Sequence, residues 1–187
     1  GSSGAIFAAT DAGVQRSGDQ GASWQPAGLS NLRIASLVFS GSRLFAGTYG
    51  NGIYASNDNG VAWTQTGGSA NGLANPNVVA LTLGADGTSL SAGTDGGGVY
   101  RSLNGGASWT AVNNDLPPTL NVYSFAVSGG KLYAGSIYGV FLSEDNGAKW
   151  TQLNAGLLDI YATSLAVSGQ TLIAGTRIGG IFTSQIP

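Results

Sequence analysis

"SNDNGVAW" occupies Ser56–Trp63, a polar turn that closes on a tryptophan. The same spacing returns as "SGDQGASW" at Ser17–Trp24, "SLNGGASW" at Ser102–Trp109 and "SEDNGAKW" at Ser143–Trp150. The shared pattern is Ser-x-Asp-x-Gly-x-x-Trp, with Asn104 in the aspartate place of the third copy, and it takes up all four tryptophans of the chain. Successive serines lie 39, 46 and 41 residues apart, the length of one repeated supersecondary unit. Ser184 opens a fifth copy that Pro187 interrupts.

More of the unit repeats than the turn. Ahead of each copy runs a small-residue stretch such as "FAGTYGNGIYAS" or "SAGTDGGGVYRS", and ahead of that an alternating one such as "IASLVFSG" or "VYSFAVSGG". A short strand follows each tryptophan. One unit therefore reads as four short antiparallel strands, a to d, with the turn between c and d. Four such strands in about 40 residues make a propeller blade. Ser36, Ala80, Ser124 and Ser164 keep strand a slim, as convergence on a central axis requires. Gly47, Gly93, Gly135 and Gly175 in strand b point to close backbone approach.

Composition agrees. The chain has 32 glycines in 187 residues, 42% apolar residues and only 9% charged ones, which suits strands buried on both faces. The net charge is −2 and the seven basic residues are scattered, so nucleic acid is not an expected partner. No apolar run is long enough to span a bilayer. Cysteine and histidine are absent, which removes disulfides, the common metal ligands and the commonest general base; no cofactor or metal is expected. With no methionine, the sequence reads as a part of a longer translation product. Residues 1–4 read as the scar of a cleaved tag and residues 5–187 as one propeller domain, its units spanning about 5–28, 29–67, 68–113, 114–154 and 155–187.

In the turn, the aspartate can accept hydrogen bonds from N–H groups just downstream, the glycine permits a left-handed backbone, and the serine can fix the hairpin mouth. The tryptophan can lie on the turn or on the next sheet. Four such copies in register resemble the Asp-box, or BNR repeat. The residues carrying the resemblance are Ser17, Asp19, Gly21 and Trp24; Ser56, Asp58, Gly60 and Trp63; Ser102, Asn104, Gly106 and Trp109; and Ser143, Asp145, Gly147 and Trp150. The resemblance implies a β-propeller of the class found in sialidases, sortilin-like receptors, some xyloglucan hydrolases and photosystem II assembly factors. It implies that the box is a fold element at the blade periphery, away from the functional face, and it points to an extracellular or cell-surface setting. One carboxylate per box is too few for a calcium site.

The sialidase constellation of an arginine cluster with a tyrosine–glutamate pair is missing. Arg16 and Arg101 precede the box serine, Arg43 sits beside a turn, and the only glutamate, Glu144, lies inside a box. Asp11 and Asp95 fall at equivalent b–c positions, so a carboxylate pair across the mouth of the ring is the remaining enzymatic arrangement. The alternative for both is turn chemistry. The repeat also shows where the units differ. After the small-residue stretch come Asp11, Tyr49, Asp95, Ile137 and Arg177; just before strand a stand Arg33, Asn77, Asn121 and Tyr161. Varied loops on a constant scaffold are how binding surfaces are presented. The expected ligand-contacting residues are Asp11, Arg33, Tyr49, Asn77, Asp95, Asn121, Tyr138, Tyr161 and Arg177, with Tyr49, Tyr138 and Tyr161 exposed and Tyr54 and Tyr100 in the core.

Three functions stay open at this level. One is a non-catalytic scaffold that binds a protein or glycan through the b–c and d–a loops. Another is a fragment of a glycan-active hydrolase, and the third an engineered or excised propeller without activity of its own. The fold expectation is all-β, with about five blade units. The first unit lacks strand a and the last lacks strand d. Such ends can leave two incomplete blades, close a four-bladed ring with strands to spare, or complete each other between two chains as a homo-oligomer.

Overall fold

A computed structural model of the protein describes residues 4–186; of the four residues read as a tag scar, the first three lie outside the described residues, as does Pro187. Its 18 strands form five antiparallel sheets. The first holds β1 (Ile6–Thr10), β2 (Gly13–Ser17) and β3 (Gln25–Pro26), and the second β4 (Ile34–Ser40), β5 (Arg43–Thr48), β6 (Ile53–Ser56) and β7 (Thr64–Gly67). The third holds β8 (Val78–Leu83), β9 (Leu90–Thr94), β10 (Gly98–Ser102) and β11 (Thr110–Ala111). The fourth holds β12 (Val122–Ser128), β13 (Lys131–Ser136), β14 (Gly139–Ser143) and β15 (Thr151–Gln152), and the fifth β16 (Ala162–Ser168), β17 (Thr171–Thr176) and β18 (Ile181–Gln185). In each sheet the strands pair in chain order, so the first is b–c–d, the next three are a–b–c–d and the fifth is a–b–c. Among the described residues β16 pairs with β17 alone, and no ladder joins the first sheet to the fifth.

The slim positions of strand a face the glycines of strand b: Ser36 pairs with Gly47, Ala80 with Gly93, Ser124 with Gly135 and Ser164 with Gly175. The close approach comes from the following unit. A methyl group on Gly93 would lie 2.8 Å from Val122 Cγ1 and 2.9 Å from its carbonyl oxygen. Four apolar clusters fill the spaces between successive sheets. Val14, Ala27, Ile34 and Ala46 bridge the first and second; Phe45, Ile53, Leu81 and Trp109 the second and third. Val99, Val122, Phe141 and Trp150 bridge the third and fourth; Tyr133, Val140, Ala162 and Leu172 the fourth and fifth.

The Ser-x-Asp-x-Gly-x-x-Trp turn is built around its serine. Ser56 Oγ donates to Asp58 Oδ1 at 2.7 Å and accepts the Gly60 N–H at 2.8 Å, while Asp58 Oδ1 accepts the Ala62 N–H at 2.9 Å. The other three copies repeat this pattern, with Asn104 Oδ1 taking the place of the carboxylate. Trp63, Trp109 and Trp150 lie on the turn and on the preceding sheet, not the next one, while Trp24 of the first sheet is 40% exposed. Trp63 Nε1 donates to Ala27 O at 2.8 Å and to Gly60 O at 3.1 Å, and Trp150 Nε1 donates to Val112 O at 2.9 Å. The reason is direction: strand d is the outermost strand, and the residue just before it points back over the c–d turn toward the unit before. Arg43 and Arg101 tie successive units the other way, donating to Gly105 O at 2.6 Å and Asn146 O at 3.0 Å in the following turn.

Candidate functional site: the mouth of the propeller

Two local devices present the variable residues. At the end of every strand b a hydroxyl closes the b–c hairpin: Thr10, Thr48, Thr94, Ser136 and Thr176 donate to Gly13, Gly52, Gly98, Gly139 and Gly180 carbonyls. In the second to fifth units the first residue of the b–c loop then bonds the residue just before strand a. Tyr49 N–H donates to Arg33 O at 3.0 Å, Asp95 to Asn77 at 2.9 Å, Ile137 to Asn121 at 3.3 Å and Arg177 to Tyr161 at 3.0 Å. Each of these four units thus places its two most variable positions side by side.

Arg33, Tyr49 and Asp95 of these positions, with Asp11 of the first unit, line a cavity of about 530 Å³ that Tyr123 and Thr163 of the fourth and fifth units complete. Arg33 Nε pairs with Asp11 Oδ1 at 3.1 Å, and the Arg33 guanidinium lies 5.1 Å from the Tyr49 ring centre. Tyr49 donates its hydroxyl to Asp95 Oδ2 at 2.7 Å, and the other carboxylate oxygen of Asp95 accepts from Asn121 Nδ2. The bond to Asp95 raises the Tyr49 phenol above its ordinary pKa. Farther round, Tyr123 and Tyr161 stack with ring centres 5.4 Å apart and share a 2.7 Å hydroxyl–hydroxyl bond, and Arg177 lies 5.2 Å from the Tyr161 ring centre. Burial, and then the Tyr161 bond, push the Tyr123 phenol up. Asp159 anchors this edge by accepting N–H bonds from Tyr161, Ile178 and Gly179, which hold its carboxyl below the usual range.

Seven of the nine residues singled out in the sequence therefore fall into this chain of contacts: Asp11, Arg33, Tyr49, Asp95, Asn121, Tyr161 and Arg177. Asn77 enters through its backbone alone, and Tyr138, though 40% exposed, sits off the mouth where its carbonyl accepts from Gln152 and Asn154. Tyr161 is half-buried by Tyr123 rather than exposed, and Tyr54 is half-buried rather than core. Ile137 turns away from the mouth and packs on the core beneath.

Tyr123 is the residue that sequence reasoning missed. Each strand a carries a register shift at its second residue, at Ala35, Val79, Tyr123 and Thr163. A bulge re-aims a side chain, and all four of these residues line the mouth. The signal was a lone large residue in an otherwise small column. As for the two aspartates proposed as an acid pair, Asp11 is held by Arg33, and Asp95 by Tyr49 and Asn121. Glu144 pairs with Lys131 at 2.7 Å inside its own unit.

Five blade-like sheets around one mouth match known propellers. This chain is a β-propeller. It superposes on an ancestral GH74 enzyme with a TM-score of 0.75 at 23% identity, covering 91% of this chain and 25% of that one. Over 97% of its length it matches the extracellular domain of a hybrid two-component system from B. thetaiotaomicron, with a TM-score of 0.77 at 23% identity, and spans 25% of that chain. YCF48 bound to D1 peptide matches over 95% of this chain and 60% of its own, with a TM-score of 0.70 at 19% identity. The propeller thus spans about a quarter of that enzyme and of that extracellular domain. No family model and no curated protein matches the sequence.

Proposed function

We propose that this propeller is a non-catalytic scaffold whose b–c and d–a loops bind a protein segment or a glycan at the mouth. One observation carries the reading. Residues that differ from unit to unit form a nearly continuous rim, from Asp11 and Arg33 through Tyr49, Asp95 and Asn121 to Tyr123, Tyr161 and Arg177, while the residues beneath repeat. The rim offers guanidinium and amide donors, carboxylate acceptors and aromatic faces, a mixture suited to a hydroxyl-rich or amide-rich ligand. The hydroxyl serine at the centre of each c–d turn supports assigning these turns to the Asp-box class, and their peripheral place supports a structural role for them.

A glycan array and a short-peptide library, read by calorimetry on hits, test this. Binding at the mouth predicts that Arg33→Ala and Tyr123→Ala each weaken a hit about tenfold or more, a loss of about 1.4 kcal/mol, while Tyr138→Ala leaves it unchanged. Equal losses at Tyr138 would move the site elsewhere. Release of new reducing ends from a bound glycan, lost in Asp95→Asn, would favour the hydrolase reading instead.

A further inference from the structure

A second pocket opens on the loop face beside Tyr49, between the second and third units. Both of those sheets have all four strands, so the pocket is enclosed by complete units. Among the described residues the connection from β7 to β8 is the only one that carries a helical turn, Ser69–Asn71, and Gly72 ends it in the left-handed region at φ +86°. The chain then runs without regular structure through residues 73–76. This connection and the b–c loop of the second unit enclose a cavity of about 370 Å³. That volume falls within the range of small-ligand sites, about 300–1,000 Å³. Leu73, Ala74 and Pro76 give the cavity an apolar strip, and Asn51, Gln65 and Ser69 give it polar groups.

The backbone of this pocket is fixed before any ligand arrives. Gly50 and Gly52 N–H groups donate to Pro76 O at 3.2 and 2.9 Å, Gln65 Nε2 donates to Asn51 O at 2.9 Å, and Asn75 Nδ2 donates to Asp95 O at 2.9 Å. A side chain at Gly52 would collide with the Gly67 carbonyl oxygen, so the b–c loop lies close on strand d. The polar side chains, in contrast, are left available. Among the described residues the Asn51 carboxamide, Gln65 Oε1 and the Ser69 hydroxyl make no hydrogen bond within the chain, and all three residues are exposed. No charged residue lines the pocket, whereas Asp11, Arg33 and Asp95 line the mouth. Asn51 and Ser69 each donate and accept, and Gln65 adds an acceptor. Sugar hydroxyls also donate and accept, and the apolar strip suits the C–H face of a pyranose ring. A charged peptide side chain would find no counter-charge here. Tyr49 lines the mouth and the next residue, Gly50, lines this pocket, so the two adjoin along one loop. We propose that the pocket is a subsite for an uncharged oligosaccharide that reaches it from the mouth, an inference that rests on the mouth being the binding face. The rigid frame lowers the cost of ordering the site on binding.

An array of uncharged oligosaccharides, with calorimetry on its hits, tests the proposal on four proteins: the unaltered chain, Asn51→Ala, Ser69→Trp and the mouth variant Arg33→Ala. Asn51→Ala removes the free carboxamide, and Ser69→Trp fills the pocket from an exposed position. The expected circular dichroism of both is that of the parent. The unaltered chain should bind an uncharged oligosaccharide, and Asn51→Ala and Ser69→Trp should each weaken it about tenfold or more, as should Arg33→Ala. A loss in Arg33→Ala alone, with Asn51→Ala and Ser69→Trp binding like the parent, overturns the subsite and leaves the mouth standing. Losses in Asn51→Ala and Ser69→Trp alone uphold the pocket as a sugar site and overturn the mouth instead. An array with no hit overturns the subsite, as does a peptide ligand that depends on Asn51 and Ser69 when no oligosaccharide does.

Discussion

Gly106 and Gly21 hold the same place in two copies of one turn, with φ of +85° and +94°, yet their surroundings differ. A methyl group on Gly106 would lie 2.8 Å from Phe45 Cε1, whereas at Gly21 only Trp24 comes near, at 3.9 Å. Gly21→Ala then carries the left-handed penalty alone, about 1 kcal/mol, and Gly106→Ala adds overpacking of about 1–3 kcal/mol. Urea unfolding of the two variants measures the difference, and equal losses would mean that backbone conformation alone fixes the glycine. The turn carboxylates make a second prediction at this scale. Ser23 and Ser17 hold Asp19 at about 2 against an ordinary 3.8, and N–H bonds from Ala62 and Lys149 lead the lowering of Asp58 and Asp145. A folded pKa below the unfolded one stabilises the fold fully above pH 4, and that contribution drains as pH falls toward 2. Replacing all three with asparagine, the residue already present at 104, should shrink the loss of urea midpoint between pH 6 and pH 3. An unchanged loss would place the acid sensitivity elsewhere.

At the scale of the blade, the repeated turn made the strand order legible. Four copies of Ser-x-Asp-x-Gly-x-x-Trp fix where strand c ends and strand d begins, and the paired columns of slim residues and glycines place strands a and b. The direction of the tryptophan was not legible, because a strand's first side chain can lean toward either neighbouring sheet and only packing decides. Nor was the mouth complete: the bulge that turns Tyr123 inward is a backbone event, and alternation alone puts that residue on the other face. Most of the rim was visible because b–c and d–a loops were free to vary over a constant frame. The backward-leaning tryptophan also predicts what holds blades together. Trp150→Phe keeps the ring and removes the bond to Val112 O, leaving a buried carbonyl unpaired, for a loss of about 1–3 kcal/mol. Thermal unfolding checks it, and a change within error would assign the interface to apolar contact alone.

Across the whole molecule, cohesion passes from each sheet to its neighbour. The four clusters join successive sheets, and strands β13 and β14 of the fourth are almost wholly buried between the third and the fifth. The fifth sheet has only one covered face: β16 and β18 are largely exposed, and Ile178 and Ile181 stand 88% and 75% in solvent. In a linear array of this kind a terminal unit has one stabilising interface where an inner unit has two, so it opens at lower free energy. Hydrogen exchange followed by mass spectrometry, at a concentration low enough to keep copies apart, should therefore show β17 and β18 exchanging well before β9, β10, β13 and β14. The first sheet, with its single neighbour, should follow the fifth. Uniform protection across all five sheets would instead mean that the two ends support one another, and that the propeller unfolds as a single closed body.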